Sequence, residues 1–356
     1  MGVHTVDKTG VFFMNTYFAT FITGTSQLVE SQLTKLGNIS VAKIYDGLIV
    51  FRSSRSWKEL QNIRYLNNLF LLLAIKENRR SGKGALDELM NTIARQGVRT
   101  SAAFQEIVRG KRSFRVFASV ENETVSMSRR LLQGVERRIQ KGSGLRLNIQ
   151  KPNLEFWFIS RREGVVLFGL RFTRVRAETK QRRKGELRAE LAHVLCLLSE
   201  PKSFDVVCDP FVGYGAIAIE RARSFPYQRI YASDIDEMLV RELRRKTGGI
   251  KNMKVAQANA LRLDLPDASI DKIITDPPWG EYQGMPSLER FYEEMLSEFR
   301  RVLKADGIVV ILIGPKETFE YVLQNKFGQI FAMNSKYDIL VSGKKAAIYK
   351  ITRKKR

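Results

Sequence analysis

From residue 187 onward the chain alternates solid apolar runs with amphipathic stretches, and this alternation leaves few folds open to it. The runs at 204–208, 229–233, 254–258, 270–275 and 307–313 carry adjacent apolar residues rather than one at every second position. Strands of that kind, with helices between them, belong to a mainly parallel sheet covered on both faces. The last two segments, 337–341 and 346–351, are separated only by residues 342–345 and read as a closing antiparallel hairpin. The predicted class is α/β, a doubly wound sheet ending in a hairpin.

At 356 residues the chain is too long for one ordinary core, so two or three domains are expected. Upstream, a strand is predicted at 16–23, a helix at 26–36, a hairpin at 39–45 and 47–51 turned at Asp46-Gly47, a strand at 68–75 and a helix at 85–94. A second unit is predicted to begin near Ser113, with a strand at 114–120, a helix at 126–140 and strands at 154–160 and 165–172. Residues 174–188 are polar, highly charged and poor in core residues, as a connector is. The expected domains are 1–112, 113–173, a basic linker at 174–186, and 187–356 with a basic tail.

Charge supplies the first functional signal. The chain holds 60 Lys and Arg against 37 Asp and Glu, a net of +23. Residues 51–190 carry 31 basic against 13 acidic side chains, whereas 191–343 carry 19 against 21. A field so one-sided attracts polyphosphate and costs self-repulsion without a partner, so nucleic acid is the expected partner. On the basic half, Arg129, Arg130, Arg137, Arg138, Arg161, Arg162, Arg182, Arg183 and Lys184 are as a set the candidate phosphate contacts on structured RNA, although each alone reads as a solvated surface charge. The longest apolar run is seven residues, far short of the roughly 20 that cross a bilayer. Two cysteines and two histidines make no metal site by themselves. Cys196 and Cys208 read as buried free thiols of a reducing compartment, and with no signal-peptide pattern a cytoplasmic protein is expected. A monomer is assumed.

Two loops carry chemistry. The first, Asp209-Pro210-Phe211-Val212-Gly213-Tyr214-Gly215, follows an apolar run and leads into a helix, and its glycines allow a sharp turn and close approach to a ligand. Asp234 stands 19 residues beyond Gly215, where a carboxylate in such a sheet accepts hydrogen bonds from ribose hydroxyls. Asp236 is the alternative for that role, or else a helix cap. Ala218 stands where GxGxxG would have its third glycine, which argues against NAD.

The second loop, Thr275-Asp276-Pro277-Pro278-Trp279-Gly280, follows the run at 270–275. An exocyclic amine of a nucleobase is a poor nucleophile because its lone pair is delocalised into the ring. The Asp276 carboxylate and a backbone carbonyl fixed by Pro277 and Pro278 can accept its two N–H bonds. They would thereby favour a pyramidal nitrogen aimed at a methyl donor. Trp279 offers a flat face for an extruded base. A cysteine-based attack on a pyrimidine is disfavoured, because there is no Pro-Cys dipeptide and both cysteines lie in apolar runs.

With DPFVGYG, SDID and TDPPWG in order, residues 187–353 resemble a class I S-adenosylmethionine-dependent methyltransferase of the amino-methylating kind. The stretch FRVFASVENETVSMSRRLLQGVERRI and the following KPNLEFWFISRREGVVLFGLRF resemble the N-terminal half of the THUMP-containing tRNA methyltransferases. That resemblance implies ferredoxin-like and THUMP α+β domains ahead of the catalytic one, S-adenosyl-L-methionine as cofactor, and transfer to the N2 amine of a guanosine in tRNA. It implies that Asp209, Gly213 and Gly215 surround the methionine part of the cofactor and that Asp234 holds its ribose. Asn259 stands where the family usually has an Asp on the adenine amine, and Arg188 either pairs with the cofactor carboxylate or belongs to the basic connector. Adenine-N6 methylation of RNA or DNA is the alternative chemistry. An RNA-binding module with a vestigial methyltransferase domain is the alternative class.

Overall fold

The computed structural model describes residues 14–77, 81–98, 100–173, 183, 185–280 and 287–354. The chain divides into two compact units, the first reaching to residue 174 except for 22–25, the second comprising 22–25 and everything from 175 on.

The first unit contains β1 (Asn15–Thr20), α1 (Ser26–Lys35), β2 (Ile39–Tyr45), β3 (Leu48–Ser53), α2 (Trp57–Leu60), β4 (Asn68–Glu77), α3 (Lys83–Gln96) and α4 (Ala102–Val108). It continues with β5 (Ser113–Val120), β6 (Glu123–Thr124), α5 (Arg129–Ser143), β7 (Arg146–Leu147), β8 (Leu154–Arg161) and β9 (Val165–Arg171). All nine strands lie in one sheet, ordered β2-β3-β1-β4-β9-β8-β5-β6, with β7 beside β5. The expected division at 112/113 therefore falls inside a continuous sheet, because β4 pairs antiparallel with β9. Helix α5 starts at Arg129, three residues later than expected, with Ser128 at its N-cap and Gly144 in the left-handed conformation at its end. It crosses α3 closely: a side chain on Gly134 would come within 2.8 Å of Ala94 Cβ. Helix α4 escaped the sequence reading because seven residues hold too few periods, although Ser101 caps it through the N–H of Phe104.

The second unit contains α6 (Ala189–Leu198), β10 (Val206–Asp209), α7 (Ala216–Ser224), β11 (Arg229–Asp234), α8 (Glu237–Thr247), β12 (Met253–Gln257) and β13 (Ile270–Thr275). After these come α9 (Leu288–Val302), β14 (Leu303–Ile313), α10 (Lys316–Asn325), β15 (Phe331–Val341) and β16 (Lys344–Arg353). Its sheet runs β12-β11-β10-β13-β14-β16-β15. The first five of these strands are mutually parallel, and β16 enters antiparallel between β14 and β15, as the hairpin reading expected. The apolar faces of α9 and α10 close one side, packing Met295, Leu296, Phe299, Phe319 and Val322 on Ile273, Val309 and Ile311. Chain order reverses between β10 and β13, so a crevice opens at their carboxyl ends, where ligands of such sheets bind. Among the described residues no helix is long and apolar enough to cross a membrane.

Candidate active site

Both motif loops emerge at that reversal, one from β10 and one from β13. The two glycines of the first loop do different work. Gly215 has φ +88 at the N-cap of α7, and a side chain there would meet Leu243 Cδ1 at 2.3 Å, so its smallness brings α7 against α8. Gly213 also has positive φ, but a Cβ there would meet nothing within 4 Å. Its backbone thus faces open space and is free for close approach. The loop is tied down by Asp234 at the end of β11, whose Oδ2 accepts the Gly213 N–H at 2.9 Å and whose Oδ1 accepts the Asp236 N–H at 3.1 Å. Asp236 takes the capping alternative, since its Oδ1 accepts from Met238 N at 2.7 Å and Leu239 N at 3.3 Å.

Asp209 is 1% exposed. Its Oδ1 accepts the Thr275 hydroxyl at 2.9 Å, while Oδ2 has no hydrogen-bond partner among the described residues. Burial pushes its carboxyl up to about 8, with the Asp234 and Asp276 charges adding to the rise and the Thr275 hydroxyl and Phe211 N–H opposing it. One residue past Thr275, the Asp276 carboxylate accepts the Trp279 indole N–H at 3.0 Å. Burial pushes it up to about 7, and that hydrogen bond holds it from rising further. The Trp279 ring lies against the backbone of Gly314 at the end of β14, where a Cβ would approach Cε3 to 2.4 Å. The indole is therefore fixed by its N–H at one side and by a glycine at another, and it is half-buried rather than fully open. Pro277 is buried and Pro278 half-buried, which keeps the loop between Asp276 and Trp279 stiff.

Sequence reasoning missed three members of this site. Thr275 opens the second motif with no chemistry of its own in the sequence, yet it bonds the two loops together. Gly314 lies 38 residues beyond Asp276, and only the closeness of Trp279 reveals its role. Ile235, directly after Asp234, is 70% exposed, so its side chain is open to a ligand at this end of the sheet. Asn259 is exposed and folds an Asx turn, its Oδ1 accepting the Leu261 N–H at 2.9 Å, so one lone pair of that oxygen is already engaged. Arg188 is exposed at the N-cap position of α6. Both cysteines are buried free thiols, and burial raises both, which removes them as nucleophiles.

The candidate RNA-contacting arginines divide. Arg129, Arg130, Arg137 and Arg162 are exposed. Arg138 is instead a cap: its Nε donates to Ala94 O at 2.9 Å and its Nη2 to Arg95 O at 2.6 Å, satisfying the last carbonyls of α3. Arg161 is 5% exposed, donating to the Asn122 side chain and, at 2.7 Å, to Asp46 O. It is a buried tie between loops rather than a surface cation. Arg183 pairs with Glu242 and lies 5.0 Å over the Tyr214 ring. Arg182 and Lys184 lie outside the described residues.

The fold instead assembles a basic surface that no single sequence run displays. Residues 107–120 and 137–154 contain no acid. Pairing of β5 with β7, the Arg146 N–H to Arg112 O bond of 2.9 Å and the Asn153 side chain, which accepts from Arg112 N and Ser113 N, bring them together. Arg109, Lys111, Arg112, Lys141, Arg146 and Lys151 are all exposed there.

The residues present fit S-adenosylmethionine. A carboxylate stands where ribose hydroxyls need an acceptor, and a glycine whose Cβ direction is unobstructed lies beside it. The fold and site together define a class I methyltransferase domain. Residues 176–342 match the sequence model of the UPF0020 family, described as RMKL-like, methyltransferase domain. The chain is 29% identical over 179 residues to the bovine (Bos taurus) U6 snRNA (guanine-N(2))-methyltransferase THUMPD2, covering 49% of this chain and 35% of that protein. It is 29% identical over 211 residues to the tRNA (guanine(6)-N2)-methyltransferase of Thermus thermophilus, covering 57% and 62%. The chain thus spans about a third of the THUMPD2 relatives' length. The crystal structure of TrmN from Thermus thermophilus superposes with a TM-score of 0.74 at 23% identity, covering 96% of this chain and 100% of that one, which shows a common fold.

Proposed function

We propose that this protein is an S-adenosylmethionine-dependent RNA methyltransferase that modifies the N2 amine of a guanosine, with tRNA as substrate. The observation that carries the reading is Asp276, held by Trp279 at the carboxyl end of β13 and joined through Thr275 to Asp209 beside the glycine loop. That arrangement supports a base-binding role for Asp276 beside a cofactor-binding role for Asp209. The relatives named above are guanine-N2 methyltransferases of tRNA or U6 snRNA, which favours that amine over adenine N6.

When bound, the cofactor supplies an electrophilic methyl group on a sulfonium. Asp234 would hold the ribose, Ile235 and Asn259 the adenine, and Gly213 the methionine part, with Arg188 near its carboxylate. Asp276 and the carbonyl fixed by Pro277 and Pro278 would accept the two amine N–H bonds, turning the nitrogen lone pair toward the methyl. The nitrogen gains the methyl and loses one proton, which a carboxylate raised to about 7 is suited to accept. Residues 113–173 would form the RNA-binding core and 174–186 its basic link to the catalytic domain. Arg129, Arg130, Arg137 and Arg162 join the assembled β5–β7 surface as candidate phosphate contacts. Buried reduced thiols suit the cytoplasm.

The test is incubation with methyl-labelled S-adenosylmethionine and unmodified tRNA, digestion to nucleosides and identification by mass, with Asp276→Ala alongside. N2-methylguanosine that disappears in the variant is expected. N6-methyladenosine would move the chemistry to the other amine, and tight tRNA binding without cofactor affinity would leave only a binding module.

A further inference from the structure

Residues 258–269 join β12 to β13 with no helix or strand of their own, and a connection of that length keeps one conformation only where something ties it down. Its start lies at the carboxyl ends of the sheet. Ala258 donates its N–H to Asp234 O at 3.0 Å, and the Gln257 side chain donates to Ile235 O at 3.0 Å. Asn259 therefore stands beside Asp234 and Ile235. It opens a tight turn, its O accepting from Arg262 N at 3.0 Å and its Oδ1 from Leu261 N at 2.9 Å.

Directly after this turn, both backbone groups of Leu263 are held by helix α9. Glu298 Oε1 accepts the Leu263 N–H at 2.6 Å, and Arg301 Nη2 donates to Leu263 O at 2.9 Å. Arg301 also donates to Leu265 O at 2.8 Å, to Asp267 Oδ1 at 2.7 Å and to the two Glu298 oxygens at 2.6 and 2.9 Å. All five of its guanidinium donors are thus engaged, and Glu298 is 8% exposed. Arg290 and Glu294 on the same helix form an exposed pair of the ordinary kind. Toward its other end α9 backs the two motif loops. Leu288 lies 3.6 Å from where a Cβ on Gly280 would stand, and the Phe291 ring packs edge-on against Phe211 with centroids 5.8 Å apart.

We propose that Glu298 and Arg301 are positioning residues for cofactor binding, holding the Asn259–Arg262 turn in register with the two motif loops through their shared helix. The inference rests on the S-adenosylmethionine reading of the crevice and on Asn259 facing the adenine. The pair acts through Leu263, which directly follows the turn. The Leu263 side chain is itself buried in the core. Without the pair the loop therefore stays on the core, while its backbone and the turn before it gain freedom that ligand binding must then remove.

The experiment is calorimetry of the full chain with S-adenosylmethionine and with S-adenosylhomocysteine, alongside steady-state methyl transfer to tRNA. Arg301→Met should weaken both ligands by about three- to tenfold, the equivalent of one lost hydrogen bond. The KM for S-adenosylmethionine should rise by a similar factor while kcat at saturation stays within about twofold. Arg301→Lys keeps the charge, but one ammonium cannot serve five acceptors, so it should resemble the Met variant. Glu298→Gln keeps an acceptor for Leu263 and should shift affinity the same way by a smaller factor, which provides a second reading if Arg301→Met folds poorly. Arg290→Ala should leave affinity and KM unchanged. In an Asn259→Ala background Arg301→Met should cost less than it does alone, because the turn it steadies has already lost its grip. Unchanged affinity in both Arg301→Met and Glu298→Gln, full recovery with Lys, a loss confined to kcat, or an equal cost in the Asn259→Ala background would overturn the proposal. Failure of the unaltered protein to bind either ligand would instead overturn the functional reading beneath it.

Discussion

The Thr275 hydroxyl donates to Asp209 Oδ1 across 2.9 Å, joining the last residue of β13 to the last residue of β10. These strands are neighbours in space and 66 positions apart in sequence. The bond sets the two motif loops at one height above the sheet. A movement of either loop is therefore felt by the other.

Asp276 sets the first expectation. Replacing it by Asn keeps the shape and removes the charge, and methyl transfer should fall by about 100-fold or more while cofactor binding persists. On the proposed mechanism, the ionised form is the useful one in the unaltered protein. With the carboxyl raised to about 7, kcat/KM should climb with pH and level off above that value. Steady-state rates across pH, with calorimetric cofactor titrations of the variant, check both parts.

Trp279→Phe removes the N–H that holds Asp276 down. The midpoint of the pH–rate profile should then move upward. Gly314→Ala puts a methyl group 2.4 Å from the indole and should displace it, lowering methyl transfer with little change in cofactor affinity. An unchanged midpoint in the first variant would separate the indole from the carboxylate.

Stability should carry the same signature with a defined sign. Asp209 and Asp276 hold protons in the folded state at pH values where the unfolded chain has lost them, because their folded values lie near 8 and near 7. The folded state binds more protons between the ordinary carboxylate range and those values, so stability should fall as pH rises through that window and level off above about 8. Thermal melts across this range should show the decline, and Asp209→Asn should shrink it.

Arg137 and Arg138 are adjacent and should part company. Arg138→Ala removes two bonds to the end of α3 and should cost about 1–2 kcal/mol. Arg137→Ala, exposed, should be close to neutral in stability. Denaturant titrations distinguish them.

The assembled basic surface makes a salt-dependent prediction. Changing Lys111, Arg112, Arg146 and Lys151 together to Gln should weaken tRNA binding. It should also flatten the slope of log affinity against log salt, by about 0.7–0.9 for each phosphate that the variant no longer neutralises. Cofactor binding should not change. Fluorescence anisotropy at several salt concentrations reads it.

The second unit was open to sequence reading because its motifs are compressed into short runs. Asp209 to Gly215 and Asp276 to Trp279 are contiguous, and solid apolar strands announce the parallel sheet around them. What stayed hidden was long-range. Gly314 matters only because a tryptophan from another strand's loop lies on it, and Thr275 only because β13 lies beside β10. The arginines failed for the opposite reason. Composition marks Arg138 and Arg161 as cations, yet burial and backbone carbonyls turn them into structural ties. Helix α4 was too short to show a period.

The pairing of β4 with β9 bears on how the chain is made. Strand β4 ends at Glu77, and its partner is not complete until Arg171 has left the ribosome. In the interval, a ten-residue edge containing Phe70, Leu71 and Leu72 is satisfied only on its β1 side. Such an edge is a template for pairing with any other extended chain. During synthesis the first unit therefore passes through a stage at which nascent chains can capture one another, and it ends only when β9 docks. A fragment stopped at residue 112 would be held at that stage permanently.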